Sequence, residues 1–532
     1  MMSMIFRALG LGALLVTAFL FSIPLAPPSP VHAALPFEVN TLTDQTDGSC
    51  GDGTCSLRDA IALANSDAGP DTIEFDVTGT ITVSAALGCL PSLDDDGTTI
   101  DGTTVDGYAG TPLVAVTAGV GLSCGITTGI YINGDENVLK GLAIHSFGDD
   151  CIDIDSGSGN VIGPDMVISD CYDGVYIGGT AADNTIQDSF IGTDVTGMSE
   201  WGNVDGVFLG NTIGPGACSN NHLLDNVISG NDGYGIWQQG AQVYNTEIKG
   251  NKIGVAADGV TPLGNGGAGI RIEDGSHDNY IGGSLPGDGN IIAYNAGVIP
   301  DTGIVIAGEG SDGNRIAHNS IYDNTDLGID LGDDGVTCDS GPSADEPNHF
   351  MPCPVIESAT TSLVTGTTCP NCIVEAFIAD PDPSGYGEGR TYLGDTETTD
   401  GDFSVSVSGV EACDWITATA IGQNEEYGNT SEFALNVQVP CPPEQHHRRT
   451  ATPMPKPTAT PAPTKTPLPP PPPPTAAPSG ALVPAVLPPA TGEGPVPDGA
   501  PWLGPALLLG AGSALAIGGF CLRAPKGKRR SG

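Results

Sequence analysis

Two short phrases recur through residues 137–331 at intervals of about one coil of a β-helix, and they constrain the fold more than any other feature. One is an Asn followed by alternating apolar residues, as at Asn137-Val-Leu and Asn279-Tyr-Ile-Gly. The other is a Gly that leads into a short strand, as at Gly174-Val-Tyr-Ile and Gly303-Ile-Val-Ile. Asn and Gly tolerate the left-handed backbone that sharp turns require. Short strands separated by such turns indicate a solenoid.

Stacking of these units places equivalent strands in parallel at ~4.8 Å and buries their Ile, Val and Leu side chains. The turn Asn amides can then hydrogen-bond from coil to coil along the stack. A longer phrase also repeats, since residues 191–203 return in outline at residues 253–265. The content of 77 Gly with only 5% aromatic residues suits a turn-dense β architecture. We therefore predict an all-β chain whose parallel β-helix covers residues 133–352.

A segment near the start, Cys55-Ser-Leu-Arg-Asp-Ala-Ile-Ala-Leu-Ala-Asn65, resembles the CSLREA motif of large exported bacterial β-helix surface proteins. Ile100-Asp-Gly-Thr-Thr and Lys140-Gly-Leu-Ala-Ile continue that family's pattern in order. The chain differs at Asp59, where the motif has Glu. The resemblance implies a right-handed parallel β-helix whose first coils and N-terminal helical cap occupy residues 34–132. It implies no reaction.

Residues 353–441 show a different pattern, in which apolar residues alternate at period two between Gly, Asp and Pro turns. We predict a small immunoglobulin-like β-sandwich there, similar to modules that end in Asn-Thr-Ser-Glu-Phe, here Asn429 to Phe433. The sequence leaves open whether this module is a spacer or a binding module.

Both ends of the chain carry targeting patterns. Residues 1–33 have the charge, apolar run and small-residue cleavage site of a secretory signal peptide. Residues 501–522 are apolar over about the ~20 residues that cross a bilayer, and the basic tail 523–532 predicts a cytoplasmic end. We therefore predict a cell-surface protein anchored in the cytoplasmic membrane or the cell wall, with its folded part outside.

Between the folded part and this transmembrane helix, residues 442–500 are rich in Thr and Pro, which predicts an extended stalk. Leu487-Pro-Pro-Ala-Thr-Gly492 resembles the sorting signal of sortase substrates, although Pro stands at 488 where the signal has Leu. A plain membrane anchor and a sortase signal both remain open.

The charge of the exported part restricts its partners. Between residues 34 and 440 there are seven Lys or Arg against 61 Asp or Glu. Such a surface repels phosphates, which excludes nucleic acid as a natural partner, and calcium is the natural counter-charge.

Fourteen cysteines suit an oxidising compartment. We predict structural disulfides for the spaced pairs Cys50/Cys55 and Cys369/Cys372. Cys151 and Cys171, about one coil apart, either bridge adjacent coils or are two buried thiols. With Cys521 in the apolar tail, an odd number remains, so at least one thiol is free or pairs between chains.

The candidate site is acidic. Aligning the Gly phrases places Asp173 and Asp205 at the same coil position, and Asp150 lies 23 residues before Asp173. A column of like charges demands a cation or shares protons. We therefore predict a calcium ladder of Asp150, Asp173 and Asp205, or a catalytic acid/base set of Asp149, Asp150 and Asp173. Ordinary turn aspartates are the third interpretation.

Gly148-Asp149-Asp150-Cys151-Ile152 resembles the Asp-Asp segment of polygalacturonases, but the His that should follow near Cys171-Tyr-Asp-Gly is absent. Tyr131, Tyr176, Phe208 and Trp237 could stack on sugars, although core packing is the commoner fate of such residues. The scarce cations Lys140 and Arg271 are expected in salt pairs.

We therefore expect a non-enzymatic surface protein that acts in adhesion, glycan contact or envelope structure, with a polysaccharide or another surface protein as its partner. The alternative is a surface-held carbohydrate-active enzyme, namely a polysaccharide hydrolase, lyase or epimerase.

Overall fold

The computed structural model describes residues 36–442 except 52, 68, 124–126, 211–215, 297–301, 339, 381–382 and 424–427. Three parallel sheets stack along most of this length, which confirms the prediction of an all-β chain and is consistent with a right-handed β-helix. The helical exceptions in the described part are Leu57–Ala64 and the 3-10 turns Gly102–Thr104 and Pro347–Phe350.

Each full coil contributes one strand to each sheet. The first sheet contains Phe37–Val39, Thr72–Phe75, Thr99–Asp101, Val138–Lys140, Val161–Ile162, Thr185–Gln187, His222–Leu224, Glu247–Lys249, Tyr280–Gly282 and Arg315–Ala317. The second contains Gly79–Val83, Val114–Ala118, Leu142–His145, Val167–Ser169, Phe190–Ile191, Val227–Ile228, Lys252–Ile253, Ile291–Ala293 and Ser320–Tyr322. The third contains Ile130–Ile132, Ile152–Ile154, Asp173–Ile177, Asp205–Gly210, Ile236–Gln239, Ile270–Glu273, Ile304–Ala307 and Ile329–Leu331. A short pair, Cys218–Ser219 and Val243–Tyr244, lies outside them.

The core is a set of apolar columns inside the coils. In the third sheet Ile152, Val175 and Val207 pair in register, and all three side chains are fully buried. The repeated phrase needs a Gly because neighbouring coils approach closely at this position. A Cβ on Gly174 would lie 2.5 Å from the carbonyl oxygen of Gly206. Burial of apolar columns against the next coil explains why the coils stabilise one another.

Buried Asn side chains form three ladders at the turns, as the phrase predicted. In a ladder, the Oδ1 atom of each Asn accepts the backbone N–H of the ladder residue in the preceding coil, as Asn231 does from Asn203 at 3.1 Å. Each ladder lies at the turn that precedes the strands of one sheet. The ladder of the first sheet contains Asn137, Asn160, Asn184 and Asn221, and then Asn279, Asn314 and Asn348. The ladder of the second sheet contains Asn226, Asn251, Asn290 and Asn319, and that of the third contains Asn203, Asn231, Asn265, Asn295 and Asn324.

At the N-terminal end, the short helix Leu57–Ala64 comes from the CSLREA-like segment. Its N-cap is Ser56, whose hydroxyl oxygen accepts the N–H of Asp59 at 3.1 Å. The buried guanidinium of Arg58 forms two hydrogen bonds with Asp44, at 2.8 and 2.9 Å, and donates to the carbonyl oxygens of Gly88 and Cys89. The helix is therefore tied to the loops that precede and follow it.

The antiparallel unit, residues 355–438, follows the last coil. One of its sheets contains Val355–Ala359, Leu363–Thr367 and Asp402–Ser406, and the other contains Gly389–Glu397, Cys372–Ala379, Trp415–Gly422 and Val437–Gln438. A shared hydrophobic cluster, which includes Val364, Phe403, Val374 and Ile416, draws on strands of both sheets. The immunoglobulin-like assignment stays a prediction.

Buried Glu side chains of the antiparallel unit close the end of the β-helix. Backbone N–H groups of the last coil donate to them: His318 to Glu375 at 3.0 Å, Asn324 to Glu388 at 3.1 Å and Leu331 to Glu432 at 3.1 Å. The segment that ends in Asn-Thr-Ser-Glu-Phe has the same role, since Asn429 and Thr430 accept the N–H groups of Gly313 and Ile316. These contacts replace the coil that would otherwise come next.

Disulfides are present, as predicted for an exported chain. The pairs are Cys50–Cys55, Cys151–Cys171, Cys338–Cys353, Cys369–Cys372 and Cys413–Cys441, Cys89 is also disulfide-bonded, and in the described part the buried Cys218 is free. The Cys151–Cys171 bond joins adjacent coils, which decides between the two interpretations of that pair.

The predicted signal peptide 1–33, the stalk from residue 443 to 500, the span 501–522, Cys521 and the tail 523–532 all lie outside the described residues. Within residues 36–442, as far as the structure describes them, no helix is long and apolar enough to span a bilayer.

Candidate functional site on the third sheet

The acidic column consists of Asp150, Asp173 and Asp205 at the start of successive third-sheet strands. Asp173 pairs directly with Asp205, and the carboxylate of Asp150 accepts the backbone N–H of Asp173 at 3.2 Å. The Asp205 carboxylate accepts the N–H of Tyr234 in the following coil at 2.6 Å. All three side chains are buried. The structure therefore brings together the residues that the spacing aligned.

Burial raises the pKa values of all three carboxyl groups, and neighbouring negative charges add to the rise at Asp150 and Asp173. Desolvation, with the negative charge of Asp149, raises the pKa of Asp150 to about 7. Desolvation, followed by the charges of Asp150 and Asp205, raises the pKa of Asp173 to about 9. Burial also raises the pKa of Asp205. Within the described residues the Oδ1 atom of Asp173 is buried and has no hydrogen-bond partner.

A fourth carboxyl group, on Asp153, was not predicted from the sequence. It lies on the outer side of the third sheet, in register between Tyr131 and Tyr176, and only 5% of it is exposed. Desolvation and the charge of Asp150 raise its pKa to about 8, and its Oδ1 atom has no hydrogen-bond partner among the described residues. In Ile152-Asp153-Ile154 an Asp lies between two apolar residues of a strand, and this alternation predicts that the Asp153 side chain points away from the core.

Aromatic rings occupy the same outer register as Asp153. The aromatic column is Tyr131, Tyr176, Phe208 and Trp237, and its residues pair from coil to coil, with Asp153 between the first two. Ring centroids of Tyr176 and Phe208 are 5.5 Å apart, and those of Phe208 and Trp237 are 4.5 Å apart and stacked. Core packing, the commoner expectation for these residues, is therefore wrong: they project from the outer face, where every member except Phe208 is partly exposed.

Two glycines make room for these rings. A Cβ on Gly178 would lie 2.3 Å from the hydroxyl oxygen of Tyr176, and a Cβ on Gly210 would lie 2.5 Å from the Phe208 ring. Each ring therefore extends along its own strand, over a residue without a side chain. The glycines that follow Tyr176 and Phe208 by two positions thus give the two rings the space that they occupy.

The remaining predicted residues lie around this face or away from it. Asp149 is half-buried, and its carbonyl oxygen accepts the N–H of Tyr172 at 2.9 Å. Arg271 follows Trp237 in register, where its guanidinium is paired with Glu273 at 2.7 Å. The ammonium of Lys140 is on the first sheet, 2.9 Å from Asp101. Both cations are thus in the salt pairs expected for them.

The predicted calcium ligands do not form a compact donor set. In the described part of the chain, Cys338, Cys353 and Glu432 are the only group of three such side chains whose ligand atoms lie within 4.8 Å of one another. Cys338 and Cys353 are joined in a disulfide, so they cannot act as thiolate ligands. Asp150, Asp173 and Asp205 share a column without this convergence. A calcium ion on them remains a prediction.

Comparison with known proteins supports the fold. A family model described as a right handed beta helix region matches residues 128–285, which contain the acidic and aromatic columns. No curated protein sequence matches the chain.

Several solved structures have a similar course of the chain, among them three bacterial or bacteriophage proteins. The mannuronan C-5 epimerase AlgE6 A-module of Azotobacter vinelandii is 15% identical over 51% of this chain and 67% of that chain, with a TM-score of 0.36. The surface adhesin PfbA of Streptococcus pneumoniae is 13% identical over 52% and 77%, with a TM-score of 0.25. The enzymatically active domain of bacteriophage CBA120 tailspike protein 2 is 11% identical over 76% of each chain, with a TM-score of 0.30. Similarity at this level carries no argument about activity.

The carboxyl groups of this face can both donate and accept hydrogen bonds. A carboxyl group with a pKa of about 7 or 9 is a hydrogen-bond donor as well as an acceptor at neutral pH. Asp150, Asp153 and Asp173 therefore combine both functions beside partly exposed rings. Apolar rings with a few polar groups in fixed positions are typical of sites for small organic ligands.

Proposed function

We propose that the outer side of the third sheet, from Tyr131 to Trp237, is a glycan-contacting surface of an exported, surface-held protein. We name it the third-sheet face. The observation that carries the proposal is the register of the aromatic column beside Asp153 and the acidic column. Sugars present apolar C–H faces and hydroxyl groups, and this surface offers rings for the first and carboxyl groups for the second.

Two unpartnered carboxyl oxygens support a ligand rich in hydroxyl groups. The Oδ1 atoms of Asp153 and Asp173 are buried without a hydrogen-bond partner among the described residues. Leaving such an atom unsatisfied costs about 1–3 kcal/mol. A sugar hydroxyl that donates to either atom, once the side chains that cover it move aside, would recover that cost on binding. A polysaccharide is the partner class that best fits this need, because it repeats its hydroxyl groups along its length.

The proposed position of the protein agrees with this function. The predicted signal peptide would export the chain, and the predicted stalk would lift the β-helix away from the membrane anchor or cell wall. The third-sheet face would then meet polysaccharides outside the cell. Net acidity of the folded part favours neutral glycans over highly anionic ones on this face, because like charges repel.

The direct test is binding of a panel of neutral polysaccharides to the purified full-length chain by affinity electrophoresis. We expect retardation by at least one neutral polysaccharide and a loss of most of it in Trp237→Ala. Tyr280→Ala is the matched control, since Tyr280 is a half-buried aromatic residue on the first sheet. Absence of retardation across the panel, or equal retardation of wild type and Trp237→Ala, would refute glycan contact at the third-sheet face.

A second function, acid/base catalysis on the bound glycan, is favoured by one specific observation. Asp150 and Asp173 are neighbouring buried carboxyl groups, since the Asp150 carboxylate accepts the N–H of Asp173 at 3.2 Å, and burial raises the pKa of both toward the range of a general acid or base. In this alternative the chain is a polysaccharide hydrolase, lyase or epimerase, with Asp149 adjusting the pKa of Asp150. Glycoside hydrolysis uses such a pair of carboxyl groups.

Product analysis separates the two functions. Each polysaccharide that binds is incubated with the chain, with calcium and again with a chelator, while reducing ends, unsaturated products and sugar epimers are followed. Turnover that disappears in Asp150→Asn and Asp173→Asn, with binding retained, would establish the enzyme. Binding without any product would establish the non-enzymatic function. A chelator effect on binding that Asp205→Asn abolishes would support calcium on the acidic column.

A further inference from the structure

A second cleft lies far along the chain from the aromatic column, where the β-helix meets the antiparallel unit. Its volume is about 790 Å³, within the range of ~300–1,000 Å³ typical of small-molecule sites. The loop that begins at Ser284 forms one side, and the first-sheet residues Arg315 and His318 form the base. Glu375 and Tyr392 of the antiparallel unit form the other side.

Arg315 is the exceptional residue of this cleft. Across the described residues its guanidinium forms no salt bridge and no side-chain hydrogen bond, whereas the other three arginines, Arg58, Arg271 and Arg390, are all paired with carboxylates. An unpaired cation is unexpected in a segment with seven basic and 61 acidic residues. A guanidinium has five N–H donors in a planar fork that suits a carboxylate. The N–H donors of Arg315 are thus available to a ligand.

The acidic residues of the cleft are already engaged. Glu375 is 2% exposed, and its carboxylate accepts the N–H of His318 at 3.0 Å and lies 3.3 Å from the His318 Nε2 atom. The hydroxyl of Tyr392 donates to the Asp395 carboxylate. Neither acid therefore uses Arg315 as its hydrogen-bonded partner. Burial raises the pKa of the Glu375 carboxyl group, and the charges of His318 and Arg315 oppose that rise. Arg315 therefore already interacts with this acid, while its N–H donors remain for a group that comes from outside.

The other residues that line the cleft indicate what else the ligand contains. Leu285, Ile373 and the ring of Tyr392 provide apolar surface, while the Ser284 hydroxyl and the Asp395 carboxylate provide polar positions. We propose that this cleft binds a small sugar acid of the uronic acid class, with its carboxylate on Arg315 and its ring against Tyr392. The site is separate from the third-sheet face, so the inference goes beyond the proposed function and stands without it.

Calorimetric titration of the full-length chain with D-glucuronate, and with neutral D-glucuronamide, tests the proposal. We expect saturable binding of glucuronate that is at least tenfold tighter than that of glucuronamide, because only the acid forms the charge-assisted pair with Arg315. Arg315→Gln should weaken glucuronate binding at least tenfold, and Arg315→Lys should retain part of it, since Lys keeps the charge without the fork.

A matched variant makes the result specific. Lys249→Gln removes the same charge from the outer side of the first sheet and should leave glucuronate binding unchanged. Thermal unfolding of each variant shows that it is folded. The proposal is overturned if wild type binds glucuronate no better than glucuronamide, or if folded Arg315→Gln or Arg315→Lys binds it as wild type does.

Discussion

The Oε1 atom of Glu432 lies 3.1 Å from the backbone N–H of Leu331, although 101 residues separate the two in the sequence. The same side chain also accepts the backbone N–H and the hydroxyl of Thr337, each at 2.8 Å. One buried carboxyl group from the antiparallel unit thus satisfies three donors beside the last strand of the third sheet. The open end of a parallel sheet would otherwise present such groups to solvent or to another chain.

We predict that Glu432→Ala lowers the free energy of unfolding by about 2–4 kcal/mol, because it leaves several buried donors without an acceptor. Glu432→Gln keeps one acceptor oxygen and should cost less. Urea unfolding followed by circular dichroism measures both. Glu357→Ala is the control, since Glu357 is exposed on the first strand of the antiparallel unit. Equal unfolding midpoints for Glu432→Ala and Glu357→Ala would show that this contact does not stabilise the end of the β-helix.

The Asn ladders make a second prediction. Asn231 accepts hydrogen bonds from the N–H and the side-chain amide of Asn203, and it donates to Asn265 at 2.9 Å. Asn231→Ala removes all of these in the middle of the stack and should cost about 2–4 kcal/mol in unfolding free energy. Asn133→Ala, on a half-buried Asn outside the ladders, should cost much less. Similar losses in the two variants would argue against the ladders as a source of stability.

The pH dependence of stability follows from the raised pKa values of Asp150, Asp153 and Asp173, about 7, 8 and 9 against 3.8 for an ordinary Asp. Between these limits the folded protein holds protons that the unfolded chain has released. The stability that these groups contribute is therefore fully present below about pH 4 and is lost as the pH rises toward 9. Carboxyl groups with lowered pKa values, such as Asp101 and Asp194, act in the opposite sense but below that window.

We accordingly expect the Tm of the wild-type chain to fall as the pH rises from about 4 to 9. Asp173→Asn, which cannot ionise, should show a shallower fall over the same window. Differential scanning calorimetry in matched ionic strength measures the effect. A Tm that rises across this window in wild type, or a slope that Asp173→Asn leaves unaltered, would contradict the assigned burial of these carboxyl groups.

The disulfide Cys151–Cys171 should stabilise the coils that carry the acidic column. It links residues that are 20 apart in the sequence, so its loss is expected to cost about 3 kcal/mol by loop-closure entropy. Loss of Cys369–Cys372, with a separation of 3, should cost only about 1.5 kcal/mol. Paired Cys→Ser variants and urea unfolding test this order. The reverse order would mean that native-state contacts, rather than loop closure, govern the effect.

The sequence predicted those parts of the β-helix in which a local phrase marks the start of a strand. The phrases at Gly174, Gly206 and Gly235 lead into third-sheet strands that pair in register, because the glycines mark the same close approach in each coil. Asn245-Thr-Glu-Ile also fits the Asn phrase in the sequence, but the structure departs from the pattern there. There Thr246 precedes the strand and occupies the ladder position, while Asn245 adopts a positive φ of 57° in the turn.

The sequence predicted which position of the coil the acidic residues of the candidate site occupy, but it predicted less well which residues surround them. The Gly phrases aligned Asp173 with Asp205, and a separation of 23 residues, about one coil, placed Asp150 beside Asp173. The importance of Asp153 depends on Tyr131 and Tyr176, which reach it from neighbouring coils. Local sequence patterns likewise did not predict the contacts of the antiparallel unit with the last coil, because these contacts depend on how separate parts of the chain pack.

The hydrogen-bond ladders give the β-helix an adjustable length. Each interior ladder Asn accepts from the coil before it and is itself a donor to the coil after it, as Asn231 is between Asn203 and Asn265. A whole coil that carries Asn at the same place can therefore be inserted or deleted without leaving an unmatched group. Only the ends, with Arg58 on one side and Glu432 on the other, are unique. The length of the β-helix is thus set by the number of coils, which duplication of a coil can change while both ends stay the same.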